Sequence, residues 1–249
     1  MPTSLAERFA AILIAAHREN SRTTVAKAAA FAEEATPADV QAVQALVAGA
    51  LGPVGAWKTA PGPDRPMIAP IFAGDVRPSG ATFGTDEIGA CGIELEMAFR
   101  LDRPLPPVDA PDFAAALRAA VTPIVVIEVV DGRIEDFTNS PAPAKLADNQ
   151  SNGGLVLGDT GTILAPDAAV RLTFDGAVAF EGRAAPPGGD AWGALERFAR
   201  HVGTLCGGFQ VGQVLTTGSL TGMPFIAPGT HVEGTVEGLG GVTLDYVAR

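Results

Sequence analysis

Hydrophobic positions at the start of the chain recur every three to four residues. Leu5, Phe9, Ile12, Leu13 and Ala16 mark one face of a helix, Thr3 or Ser4 stands where an N-cap belongs, and His17, Arg18, Glu19 and Asn20 close it with polar groups. Thr36 followed by Pro37 marks another helix start, and Val40, Val43, Leu46, Val47 and Ala50 predict an apolar stripe that Gly52 and Pro53 stop. The first fifth of the chain therefore reads as a small helical part, 1–56, ahead of a β-rich domain over 57–249.

The pattern then changes. From Trp57 to Gly89 proline and glycine break the periodicity, yet Ile68, Ile71, Phe72 and Phe83 still require burial, which predicts loops and short strands. Ile93, Leu95, Met97, Phe99 and Leu101 alternate with Glu94, Glu96, Ala98 and Arg100, the period of a strand. A short helix is expected over 111–120, and the β-branched run 124–130 reads as a strand. Asp175-Gly176 between apolar runs is a two-residue hairpin signal. Asp190 opens a helix whose Trp192, Leu195, Ala199, Val202 and Cys206 form a stripe, stopped by Gly207 and Gly208. Strands follow over 214–217, 231–236 and 242–247. Helices grouped at the start and strands thereafter predict an α+β protein, not an alternating doubly wound one.

Composition narrows the function. The formal charge of −11 over 249 residues disfavours a nucleic-acid partner, because phosphate contacts need a basic face. Forty-seven per cent hydrophobic residues supply a sizeable core. Cys91 and Cys206 are too few and too far apart for a disulfide framework or a zinc motif, and are expected to be reduced core residues in the cytoplasm. The apolar run from Phe9 to Ala16 is too short to span a bilayer, and Glu7 and Arg8 before it do not resemble a basic export leader.

Glu94 and Glu96 stand two apart on a strand and so share a face, which in isolation reads as a polar face turned to water. Glu128 sits inside an unbroken apolar strand, where a carboxylate must be neutralised, paired or metal-bound. Its partner is either an arginine such as Arg133 or Arg100, or a metal ion; three glutamates from two strands offer the hard oxygen ligands that suit Mg2+ or Mn2+. Lys58, between Trp57 and a Pro/Gly loop, reads from its own surroundings as a surface lysine with a buried stem. Lys145 reads as a surface residue, Asp75 as a turn former, and His17, His201 and His231 as structural.

These segments also carry a family likeness. GIELEMAFRLDRPLP, VVIEVVDGRIEDF, LADNQSNGG and LTTGSLTGMP, in this order after GAWKTA, resemble the 2-keto-4-pentenoate hydratase group of the fumarylacetoacetate hydrolase superfamily. The likeness spans most of the chain. It departs over 61–83, and Gly132 precedes Arg133 where relatives commonly show serine. The resemblance implies a mixed β-roll or sandwich with a small helical N-terminal part. It further implies one divalent ion, Mg2+ or Mn2+, on Glu94, Glu96 and Glu128, with Lys58 as an acid/base group of lowered pKa. By the same transfer Ser151, with Asp148 and Asn149, lies near the substrate, and Ser219 lines its carboxylate end.

The activity implied is hydration of a 2-hydroxy-2,4-dienoate, or its 2-oxo-enoate tautomer, in the breakdown of aromatic compounds, by a homo-oligomer in the cytoplasm. Its rivals are a 2-oxo-enedioate decarboxylase, an acylpyruvate hydrolase of the same superfamily, and a non-catalytic hydratase-like partner subunit.

Overall fold

Two reciprocal caps organise the beginning of the chain in the computed structural model, which describes residues 3–62, 64–163 and 165–249. Ser4 and Glu7 exchange side chain-to-backbone hydrogen bonds at the start of α1 (Leu5–Arg18). Between the two expected helices lies a further one, α2 (Val25–Glu34), capped by Thr24; its alanine-rich face carries too weak a stripe to stand out in the sequence. Thr36 and Asp39 close the second capping box on α3 (Pro37–Leu51), which ends at Gly52. Leu46 and Ala50 fall outside its buried stripe; Gln44 and Ala48 complete it instead.

The strands follow in chain order as β1 (Val54–Ala60), β2 (Met67–Phe72), β3 (Val76–Pro78), β4 (Ala81–Gly84) and β5 (Cys91–Leu101). After α4 (Phe113–Ala119) come β6 (Val121–Val130), α5 (Ala142–Ala147), β7 (Asn152–Thr160), β8 (Ala168–Phe174) and β9 (Ala177–Ala184). The chain ends with α6 (Ala191–His201), β10 (Val214–Ser219), β11 (Phe225–Ile226), β12 (Thr230–Val236) and β13 (Gly240–Val247). One mixed sheet runs β2-β1-β10-β5-β6-β7-β3, with β11 added to β5, and a second runs β4-β13-β12-β8-β9. This is the expected α+β architecture. The hairpin at Asp175-Gly176 forms with both residues at positive φ, as a turn of that length needs.

The alternating side chains of β5 decide how the sheets meet. Ile93, Leu95, Met97 and Phe99 pack with Val125, Ile127 and Val129 of β6 into the core shared with the second sheet. The approach is close enough that a Cβ on Gly234 would lie 2.6 Å from Leu95 Cδ1. The other face of the large sheet is also buried, because the sheet curls and β2 near one edge packs against β7 near the other. The helices α1 to α3 cover a further part of the molecule, sharing a core with α5, Phe72, Val130, Ile134 and Phe137.

Two expectations change at α6. The helix stops at His201, before Gly203 at φ 52°, so Cys206 lies in a separate tight turn at φ 46° rather than on the helical stripe. Cys91 is buried, Cys206 half-buried, and both are free. Among the described residues no helix is long and apolar enough to cross a membrane.

Candidate metal centre and substrate cavity

Glu94 on β5 and Glu128 on β6 are direct partners in the antiparallel ladder, and Glu96 follows two residues along β5. Period two puts all three carboxylates on the face opposite the intersheet core. The sequence expectation of a water-facing strand fails here, because the curled sheet encloses that face with Ala98, Val126 and Leu155. Glu96 and Glu128 are 1% and 0% exposed, and Glu94 is partly buried. One oxygen from each lies within 4.8 Å of the others. That spacing matches donors around a single ion at ligand distances of about 2.0–2.6 Å.

Lys58 reaches this cluster from β1, with β10 lying between β1 and β5. Its ammonium pairs with Glu128 Oε1 and donates to the Gln150 carbonyl at 3.1 Å. Asn152 Nδ2 donates to the same Glu128 oxygen at 3.0 Å, and the Gly218 N–H donates to Glu96 Oε2 at 2.6 Å. Glu128 Oε2 is buried without a hydrogen-bond partner. Three carboxylates thus face one lysine, a shortfall of two positive charges, and one buried oxygen is left unsatisfied. A divalent cation among the three oxygens answers both.

The same charge balance shapes the protonation equilibria. Burial, then the charge of Glu128, pushes Glu94 up to about 7 despite the opposing pull of Lys58. Burial, Glu128 and Glu94 push Glu96 well above the ordinary carboxylate range. For Lys58 burial acts downward, but the carboxylates of Glu128 and Glu94 outweigh it and hold the ammonium above its ordinary value. This reverses the lowered pKa expected for Lys58; a divalent ion would offset the carboxylate charge and draw it back down.

A cavity of about 310 Å³ opens beside the cluster. Ser151 and Ser219 line it together with Lys58, Glu94 and Glu96. Asn149, Gln150 and Ser151 stand consecutively at φ 49°, 54° and 58°, a left-handed turn uncommon outside glycine, which delivers the Gln150 carbonyl to Lys58 and Ser151 to the cavity. Asp148 and Asn149 do not line the cavity. Asp148 is buried against Arg133, accepting from its backbone N–H at 2.7 Å and its Nε at 3.1 Å. Arg133 also donates to the Asn152 carbonyl, so this pair braces the residue that contacts Glu128. Neither arginine considered for Glu128 is its partner, since Arg100 pairs with Asp102.

Sequence reasoning missed Gln150 and Asn152, both inside LADNQSNGG, where motif membership was the available signal. It also set aside Lys145, which lines the cavity. None of the three histidines lines it: His17 meets the Phe72 ring edge-on at 5.8 Å, His201 bonds the Arg197 carbonyl, and His231 bonds Asp245. Burial, and secondarily Arg133, lowers His17 to about 3 and keeps it neutral.

No family model matches the chain. Over 190 residues it is 30% identical to the 2-keto-4-pentenoate hydratase of Burkholderia vietnamiensis, covering 74% of this chain and 71% of the relative. The structure of 4-oxalocrotonate decarboxylase from Pseudomonas putida G7, complexed with magnesium and adipate, superposes with a TM-score of 0.82 over 98% of this chain and 97% of that one, at 20% identity. The fumarylpyruvate hydrolase of Pseudomonas aeruginosa, in complex with Mn2+ and pyruvate, gives a TM-score of 0.53 over 79% and 97% of the two chains, at 13% identity. Ordered motifs, a shared fold and identity sustained over more than two thirds of a curated relative place the chain in the 2-keto-4-pentenoate hydratase family of the fumarylacetoacetate hydrolase superfamily.

Proposed function

We propose that this protein is a metal-dependent hydro-lyase that adds water to a 2-hydroxy-2,4-dienoate or its 2-oxo-enoate tautomer. The observation that carries the reading is the convergence of three largely buried carboxylates on one lysine beside a cavity of small-ligand size. Glu94, Glu96 and Glu128 would hold one Mg2+ or Mn2+, which when bound supplies Lewis-acid stabilisation of enolate charge on a 2-oxo acid. Lys58 is the group placed to exchange a proton with the substrate carbon skeleton, its Nζ oriented by Glu128 and the Gln150 carbonyl. Ser151 and Ser219 offer hydroxyls for orienting the substrate, and the buried strands around the cluster limit its access to bulk water. Carbon–carbon hydrolysis is disfavoured because no histidine lines the cavity to activate water. In this reading the protein works in the cytoplasm as a homo-oligomer.

The test is the purified chain with Mg2+, assayed separately on 2-hydroxypenta-2,4-dienoate, a 2-oxo-enedioate and an acylpyruvate. Loss of the dienol chromophore with water incorporation, abolished by chelator, is expected. Carbon dioxide release from the enedioate without dienoate hydration would replace hydration by decarboxylation, and pyruvate from the acylpyruvate would replace it by hydrolysis. Lys58→Ala should lower turnover by about 10²- to 10⁴-fold with little loss of Mg2+ affinity. Unchanged turnover would remove Lys58 from the chemistry.

A further inference from the structure

A second cavity, of about 360 Å³, lies between α3, α5 and the edge strand β2, with Val40, Pro66, Ile68, Pro143 and Leu146 giving it apolar walls. Its frame is fixed from inside: buried Gln44 on α3 donates to the Ile68 carbonyl at 3.1 Å and to the Leu146 carbonyl at 2.8 Å, tying the three elements together. Among the described residues Met67 alone lines both this cavity and the one that holds Lys58, Glu94 and Glu96.

Strand register places Met67 relative to the site. Lys58 on β1 faces Ala69 on β2, and Met67 follows Ala69 at a spacing of two, so its side chain stands on the same sheet face as Lys58. The Thr59 hydroxyl donates to the Met67 carbonyl at 2.8 Å and pins the backbone there. The thioether sulfur lies 3.2 Å from Nε2 of Gln150, whose carbonyl accepts from Lys58. Met67 also falls within 61–83, the segment where the sequence departs from its family likeness. A 2-oxo acid is polar at its first two carbons and hydrocarbon beyond them, so an apolar side chain shared with an apolar cavity bears on the hydrocarbon part.

We propose that Met67 is the residue that limits substrate length: its side chain closes the substrate cavity against the apolar one, and a shorter residue there joins the two into a subsite for an alkyl tail. The inference rests on the metal-centre reading above and deepens the proposed substrate class, confining it to 2-hydroxy-2,4-dienoates whose hydrocarbon end stops at Met67. It does not depend on which bond is made or broken.

The experiment is a calorimetric titration of the Mg2+-loaded protein with unbranched, saturated 2-oxo monocarboxylates of five to ten carbons, which report binding without turnover. Full burial of a methylene is worth about fourfold in affinity. In wild type the affinity should stop rising partway through the series. In Met67→Ala it should continue to rise, so that the ratio of longest to shortest acid exceeds that of wild type by about tenfold or more; Met67→Val, which keeps a strand-forming residue, should move it the same way. Filling the second cavity by Leu146→Trp should leave the wild-type ratio as it is and restore the length limit in the Met67→Ala background. The same limit in wild type, Met67→Ala and Met67→Val, no limit in wild type, or an extension that survives Leu146→Trp would overturn the inference and leave the metal centre standing. Failure of every acid to bind with Mg2+ present would overturn the metal-centre reading and this inference together.

Discussion

Two groups of buried charge lie near one another and are built on opposite terms. In the arginine network each acid has a base: Arg22 pairs with Asp131, and Arg133 with Asp148. In the carboxylate cluster Glu94, Glu96 and Glu128 share Lys58 alone, and Glu128 Oε2 has no partner. A balanced group holds the fold together without help, because each charge removed from water meets its counterion. An unbalanced group strains against its own repulsion until a cation or a proton enters. The contrast separates structural from functional charge more sharply than burial does, since Asp148 and Glu128 are both almost completely buried.

The largest break in that comparison comes from removing a ligand. Glu96→Ala or Glu128→Ala should abolish Mg2+-dependent turnover and the Mg2+-induced rise in Tm while the protein still folds, as calorimetry and far-ultraviolet dichroism would show. Activity that persists in chelator would contradict the assignment. The matching change in the balanced group is Asp148→Ala, which strands the buried Arg133 guanidinium. Denaturant titration should show a loss of about 3–5 kcal/mol, with the Mg2+-induced Tm shift retained.

A smaller effect runs in the opposite direction. The Glu94 carboxyl, held up at about 7 by burial and Glu128, binds its proton more tightly in the folded than in the unfolded chain. The stability this confers is fully present below the ordinary value of 4.5 and is lost as pH rises through about 7. In chelator at pH 8, Glu94→Gln should therefore stabilise the protein, by about 1–2 kcal/mol, although it weakens Mg2+ binding. The smallest expected change is in wild type: Mg2+ competes with that proton, so it should raise Tm more at pH 8 than at pH 6. A Tm shift independent of pH would mean that Glu94 does not give up a proton on binding.

Much of the local structure could be read from residue order. The Ser4 and Thr36 caps, the alternation along β5 and the Asp175-Gly176 turn each depend on side chains within a few residues of one another, as does the common face of Glu94 and Glu96. The weak stripe of α2 and the stop of α6 at Gly203 were not readable in the same way, because composition blurs the first and several nearby glycines compete for the second.

The site divides along the same line. The sequence by itself determined which carboxylates are available, their shared strand face, and the motif order that marks the family. Only the tertiary structure decided that this face curls away from water, that Glu128 meets Lys58 rather than an arginine, that Asp148 turns to Arg133, and that Lys145 reaches the cavity. The physical reason is range: caps, turns and strand faces follow from backbone geometry over a few residues, whereas the partner of a buried charge depends on strands and loops far apart in sequence, such as 58 and 128, and on how strongly the sheet between them bends.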